Sequence, residues 1–153
     1  MKRSAGLLLY RRTAAGPEVL LGHMGGPFFA RRDRGAWTVP KGEYEEDEPA
    51  WDAARREFQE ELGLPPPDGA GAVPLGEVRQ SGGKLVTVWA VEADLDPATV
   101  VPGTFRMRWP PRSGREQEFP ELDRVAWFPL DRAREVIVTA QAAFLDRLAE
   151  HSA

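Results

Sequence analysis

Apolar and polar positions divide the chain into short apolar runs, one long stretch of helical spacing and several punctuated loops. Residues 4–10 (SAGLLLY) and 18–24 (EVLLGHM) predict strands, separated by the turn-rich TAAGP. Residues 25–36 (GGPFFARRDRGA) carry Gly and Pro punctuation and predict a loop. Residues 37–39 predict a short strand-like piece stopped by Pro40. A helix then follows, with Asp47 or Glu48 as its N-cap, Pro49 in its first turn and Gly63 just past its end. Three prolines at 65–67 prevent its continuation. Residues 72–79 and 84–93 predict a hairpin around Ser81-Gly82-Gly83. Residues 94–104 predict a loop, 105–109 an edge strand, 110–123 an irregular stretch and 124–128 a further strand. Two helices, 130–138 and 139–150, complete the pattern, the second with Ala142, Phe144, Leu145 and Leu148 as its apolar stripe. Two groups of strands around a helix imply an α/β class with a mixed sheet and flanking helices.

Composition narrows this picture. The chain has 153 residues, 42% of them hydrophobic, which suits one domain over residues 1–153 with a real core. No stretch approaches the ~20 apolar residues of a membrane span. The short apolar run near the start, closed by Arg11 and Arg12, predicts a first strand in preference to a signal peptide. The absence of cysteine excludes disulfides, thiolate metal sites and a cysteine nucleophile, and fits a reducing cytoplasm. The net charge of −4 is uneven: residues 43–61 hold nine acids and two bases, whereas the remainder holds 15 acids and 18 bases. One concentrated anionic patch on a mildly basic body suits divalent cations with arginines nearby for a polyanion. It does not suit broad binding of a nucleic-acid backbone.

The patch lies on the predicted helix. At ~100° per residue, with Glu57 at zero, Glu60 falls at about −60° and Glu61 at about +40°. Ala50, Trp51, Ala54, Phe58 and Leu62 make the apolar stripe between about +20° and +140°, so the carboxylates border and partly overlap the buried face. Like charges at this spacing repel, more strongly where water is excluded, and Glu60 and Glu61 stand near the negative end of the macrodipole. An ion such as Mg²⁺ or Mn²⁺, which takes oxygen ligands, reverses that repulsion. Arg56 is placed to brace a carboxylate, and Gly42 marks a backbone position needing unusual dihedrals or close approach. A solvated acidic face is the plainer alternative.

At fixed spacing the segment gives Gly42, five residues, Glu48, seven residues, then Arg56-Glu57-Phe58-Gln59-Glu60-Glu61-Leu62-Gly63-Leu64. This resembles the Nudix box, G-x5-E-x7-R-E-U-x-E-E-x-G-U with U a bulky apolar residue. The departure is Phe58, where the family usually has an aliphatic residue; a packing adjustment against the core is expected. The resemblance implies an α/β/α sandwich with a mixed, partly antiparallel sheet and the box as loop–helix–loop. It also implies Mg²⁺- or Mn²⁺-dependent hydrolysis of a pyrophosphate bond in a nucleoside diphosphate linked to another group. By the same resemblance Glu57, Glu60 and Glu61 are metal ligands, Glu57, Glu60 and Arg56 are the catalytic set, and Arg56 orients the carboxylates. The general base is one of the glutamates or a residue outside the box. A late ligand before a Trp-containing strand is Glu121, six residues ahead of Trp127, with Glu118 as the alternative.

Lys41, Arg31 and Arg34 are candidate phosphate contacts, Arg32 lies beside them, and Gly42 shapes the loop. Phe28, Phe29 and Trp109 are candidates to stack on a base, with loop or core anchoring as the alternative. His23 is expected to be structural. The expected partner is a small-molecule nucleotide, either a nucleoside triphosphate or a dinucleoside polyphosphate. Neither a membrane nor a nucleic acid is expected, and no feature specifies an oligomeric state. A nucleotide-binding sensor, a 5′-RNA-end hydrolase and a helix that binds a basic protein are the rival functions.

Overall fold

A computed structural model describes residues 2–152; Met1 and Ala153, the ends of the predicted domain, lie outside them. Strand β1 (Arg3–Thr13) is the axis of the fold. Its Leu7 and Leu9 belong to one buried cluster and its Leu8 and Tyr10 to another. A strand covered on both faces has no polar alternate positions, which is why SAGLLLY is a continuous apolar run. β6 (Leu85–Glu92) runs parallel to β1 along one edge, from Arg3↔Leu85 to Tyr10↔Glu92. β5 (Val73–Arg79) continues the sheet beyond it, antiparallel to β6.

The opposite edge of β1 is forked. β2 (Gly16–Met24) pairs with β1 only from Tyr10↔Val19 to Thr13↔Gly16. The segment 37–43 fills the opening. β3 (Trp37–Thr38) pairs with the far end of β2 at Gly22↔Thr38 and His23↔Trp37. β4 (Lys41–Glu43) pairs with the near end of β1, from Ser4↔Glu43 to Gly6↔Lys41. Pro40 lies at the crossing, where its carbonyl accepts from Leu7 N at 3.3 Å. β9 (Leu122–Pro129) completes the sheet on the outer edge of β2.

Helix α1 (Ala50–Leu62) covers one face of the sheet. There Phe58 and Leu62, both fully buried, pack with Leu7, Leu9, Leu20 and Leu122. Helices α2 (Leu130–Val136) and α3 (Ala142–Ser152) cover the other face through Val136, Phe144, Leu145 and Leu148. The result is the expected three-layer α/β/α arrangement with a mixed sheet. Phe58 faces the core as expected. No helix among the described residues is long and apolar enough to cross a membrane.

Three local expectations need correction. The N-cap of α1 is Pro49, with extended backbone, and not Asp47 or Glu48. Both Glu48 carboxylate oxygens are taken by Arg56, so that side chain is not available to cap the helix. The stretch 110–123 is not irregular throughout. Glu116–Pro120 forms β8, which pairs with β7 (Thr104–Arg108) as a separate two-stranded arm. Its Glu-Gln-Glu start carries no apolar alternation, because all three residues are exposed and neither face is buried at that end. The last helix begins at Ala142, after a 3₁₀ turn at Thr139–Gln141. The fully buried Gln141 side chain pins that turn by accepting from Val39 N at 2.9 Å and donating to the Thr38 hydroxyl.

Candidate active site

The box closes on itself through its first glycine. Gly42 lies opposite Ala5 on β4, directly beneath Glu57 of α1. A Cβ at Gly42 would overlap the Glu57 carboxylate, so the requirement is close approach and not a special dihedral. Glu57 is 8% exposed, and Ala53 on its other side is fully buried. The buried arc of α1 therefore extends past the predicted stripe and takes in Glu57, because β4 and β1 cover that side of the helix. The second glycine, Gly63, ends α1 with φ 67°, and its N–H donates to Gln59 O at 2.8 Å. A Cβ there would strike the Val101 carbonyl, and Val101 N donates to Leu62 O at 2.8 Å. The loop after β6 thus docks on the helix end and brings Gly103 and Thr104 over Glu60.

Arg56 gathers three carboxylates. Its Nε and Nη2 form a fork on Glu48 at 2.9 and 2.8 Å. Its Nη1 donates to Glu57 Oε1 at 2.8 Å and to both Glu60 oxygens at 3.2 Å. The fork on Glu48, then the bonds to Glu57 and Glu60, push the Arg56 pKa up, and the same fork holds Glu48 below the usual carboxylate range. Glu48 is therefore a positioning group for Arg56.

The other carboxylates behave differently. Beside this network lies a cavity of about 540 Å³, lined by Lys41, Gly42, Glu57, Glu60, Glu61 and Glu121 among others. Burial, with Glu121 and Glu57 nearby, pushes Glu61 up to about 8. Burial also raises Glu57 and Glu121 and lowers Lys41, whose neighbour Lys84 adds to the effect. Neither Glu61 nor Glu121 accepts a side-chain hydrogen bond or ion pair among the described residues. Glu121 is placed by its backbone: its N–H donates to Gly103 O at 2.7 Å, and its carbonyl accepts from Gly25 N at 2.9 Å. A larger hollow of about 720 Å³ runs along residues 43–48 on the far side of Arg56, but Glu57, Glu60, Glu61 and Glu121 do not line it.

A half-buried carboxylate at Glu61 and an exposed one at Glu121, neither holding a side-chain donor among the described residues, fit a divalent cation, which takes oxygen ligands and cancels their repulsion. The space that Gly42 leaves around Glu57 fits the same use. As the side chains stand, no group of three His, Asp or Glu among the described residues converges on one ion-sized point. Arg56 holds Glu57 and Glu60 toward itself, which accounts for the spread.

Of the sequence candidates, the structure brings Lys41, Gly42, Glu57, Glu60, Glu61 and Glu121 together, with Arg56 behind them. Glu118 stands apart, 3.9 Å from Arg106 on the arm. Arg31 and Arg34 are exposed on the 25–36 loop and do not line the cavity. Ser4, Glu43, Lys84, Gly103 and Thr104 also line it. Lys84 Nζ lies 3.2 Å from Glu43 Oε1, and Ser4, 1% exposed, has a hydroxyl with no hydrogen-bond partner among the described residues. Lysine scarcity, three against 17 arginines, is the one sequence signal that sets Lys84 apart. His23 is fully buried between Asp123, 2.9 Å from Nδ1, and the Arg32 carbonyl, 2.6 Å from Nε2. It ties the 25–36 loop to β9, the structural role expected of it.

The family model described as NUDIX domain matches residues 1–148. No curated protein matches the chain significantly. Among solved structures, a Caenorhabditis elegans Ap4A hydrolase in a binary complex is 22% identical, covering 99% of this chain and 98% of its own, with a TM-score of 0.68. The NUDIX domain of Shewanella oneidensis NrtR, complexed with ADP ribose, is 16% identical over 99% and 88%, with a TM-score of 0.64. RenU, a Nudix hydrolase from M. smegmatis, is 25% identical over 97% and 84%, with a TM-score of 0.57. With an α/β/α fold, a complete box folded around its own glycines and a family match over nearly its whole length, the chain belongs to the Nudix family of hydrolases, which cleave pyrophosphate bonds.

Proposed function

We propose that the chain acts as one catalytic domain, a Mg²⁺- or Mn²⁺-dependent pyrophosphohydrolase whose substrate is a nucleoside triphosphate or a dinucleoside polyphosphate. The observation that carries this reading is the split of carboxylates around Arg56. Three are held by the guanidinium, while Glu61 and Glu121 face the same cavity with no side-chain donor among the described residues. Glu57, Glu60, Glu61 and Glu121 are the residues that would hold the cation. When bound there it screens the phosphate oxygens and lowers the pKa of a water. Arg56 holds Glu57 and Glu60 at the edge of the cavity, from which they would turn toward the cation. Lys41 brings a poorly solvated positive charge to the cavity wall, where a phosphate oxygen is its natural partner. The proton of the attacking water passes to a carboxylate oxygen of the site.

The named ligands of the neighbours set the range of substrates to try. Ap4A is a dinucleoside polyphosphate, and ADP ribose is a nucleoside diphosphate carrying another group. Both belong in a panel with the nucleoside triphosphates, assayed with Mg²⁺ and with Mn²⁺. Glu60→Gln is the informative variant, because Glu60 is exposed and its loss leaves the core intact. Turnover is expected to fall by about 100-fold or more, the scale of removing one electrostatic stabiliser, with the unfolding temperature unchanged. Metal-dependent hydrolysis that survives Glu60→Gln would overturn the assignment. Nucleotide binding without hydrolysis across the panel would favour the sensor.

A further inference from the structure

The arm β7–β8 and the loop 25–36 have no part in the carboxylate cavity beyond their roots, yet they pack on each other. Alternation along the arm puts Phe105, Met107, Gln117 and Phe119 on one face, with Phe105 opposite Phe119. That face lies against the loop, where the Phe105 ring approaches Gly26. At the far end, Phe28 of the loop meets Trp109 edge to face, with ring centroids 5.4 Å apart. The three aromatic candidates therefore separate. Phe29 packs against the core beneath α2 and α3, and Trp109 is half-buried as a support. Phe28 is 59% exposed, one of the few large apolar side chains left in water. Nothing in the fold requires an aromatic ring there.

The surroundings indicate what would cover it. Residues 25–36 and 104–120 carry seven arginines against three acids, in a chain of net charge −4. Arg31, Arg32, Arg34, Arg108, Arg112 and Arg115 form no ion pair among the described residues, whereas Arg11, Arg12, Arg56, Arg124, Arg132 and Arg134 all do. An open ring among uncompensated guanidinium groups suits a planar base joined to a polyanion. Position agrees. The N–H that holds the Glu121 carbonyl belongs to Gly25, three residues from Phe28, at most about 10 Å of extended chain. That is comparable with the reach from a phosphate to the base of the same nucleotide.

We propose that Phe28, supported edge-on by Trp109, is the platform on which the base of the substrate stacks, so that the loop and the arm form the specificity wall of the site. This rests on the nucleotide-hydrolase reading and adds to it the residue that recognises the base. Stacking depends on the ring and tolerates any base, so the wall selects for a nucleoside over bare polyphosphate.

The experiment compares the wild-type chain with Phe28→Ala and Phe28→Tyr. The probes are ATP, GTP, CTP and UTP, with inorganic tripolyphosphate as a base-free control, all with Mg²⁺. For the nucleotides KM should rise about five- to fifty-fold in Phe28→Ala, as expected for one lost stack. kcat should stay within about twofold, and Phe28→Tyr should restore KM. Tripolyphosphate, as substrate or as competing inhibitor, should not distinguish the three proteins. An unchanged nucleotide KM in Phe28→Ala overturns the platform, as does an equal loss of tripolyphosphate affinity. If the wild type hydrolyses none of the nucleotides, titration calorimetry with Mg²⁺–ATP reads the same contrast in Kd. A contrast there would keep the platform and sink only the hydrolase reading, and no nucleotide binding at all would sink both.

Discussion

Glu48 and Glu61 belong to the same motif, on opposite sides of Glu57, and the chain treats them in opposite ways. Glu48 accepts two hydrogen bonds from Arg56 and is held ionised. Glu61 faces a cavity with Glu121 and Glu57 for company and is pushed up to about 8. The first arrangement is complete without a ligand. The second is a set of acceptors with too little positive charge, since Lys41 is itself poorly solvated. Acidic residues of one motif thus divide into those that hold the site in shape and those that wait for a partner, and the division follows from where the guanidinium can reach.

That contrast can be broken most severely at Arg56. Arg56→Ala frees Glu48, Glu57 and Glu60 at once. Steady-state assays should show kcat/KM lower by about 10- to 100-fold, the usual cost of losing a group that orients ligands, with a lower unfolding temperature. An activity within twofold of wild type would mean that the carboxylates need no brace. Gly42→Ala should follow, since a Cβ there overlaps the Glu57 carboxylate. Denaturant unfolding should report a loss of about 1–3 kcal/mol from overpacking, together with reduced turnover.

The two glutamates themselves should respond with opposite signs. With chelator present, Glu48→Gln lowers the unfolding temperature at neutral pH, whereas Glu61→Gln leaves it unchanged or raises it. Equal destabilisation by both would erase the distinction. The pH dependence is the finest test. Folded Glu61 keeps its proton up to about 8, whereas an unfolded glutamate releases it near 4.5. The stability linked to that proton is complete below about 4.5 and is lost as the pH rises through 8. Metal-free protein should therefore melt at progressively lower temperature across that interval, and millimolar Mg²⁺ should flatten the trend. Glu48, with its lowered pKa, contributes in the opposite sense, losing its share on acidification.

Much of this was legible without coordinates. Leu7, Leu8 and Leu9 announce a strand buried on both faces, and Phe58 and Leu62 sit at helical spacing on the core side of α1. Gly42, Glu48, Arg56 and Gly63 stand at the offsets of the Nudix box, and that resemblance is what implies a loop–helix–loop. The failures were also local. Helix starts favour acids, which makes Glu48 a natural cap by sequence, but the Arg56 guanidinium eight residues on takes the same oxygens. β8 gives no strand signal, because Glu116, Gln117 and Glu118 present no apolar alternation.

The sequence by itself determined most of the elements, the core-facing residues and the box, because those depend on spacing within about 20 residues, where periodicity and turn chemistry act. Only the tertiary structure decided that Glu121 joins the cavity and Glu118 does not, and that Phe28 stays open while Phe29 is packed against the core. It also decided that Lys84, just before β6, lines the same cavity as Lys41 on β4. Each of those outcomes depends on strands and loops brought together from distant parts of the chain, by hydrogen bonds such as Glu121 to Gly103 and Gly25 that no local pattern encodes.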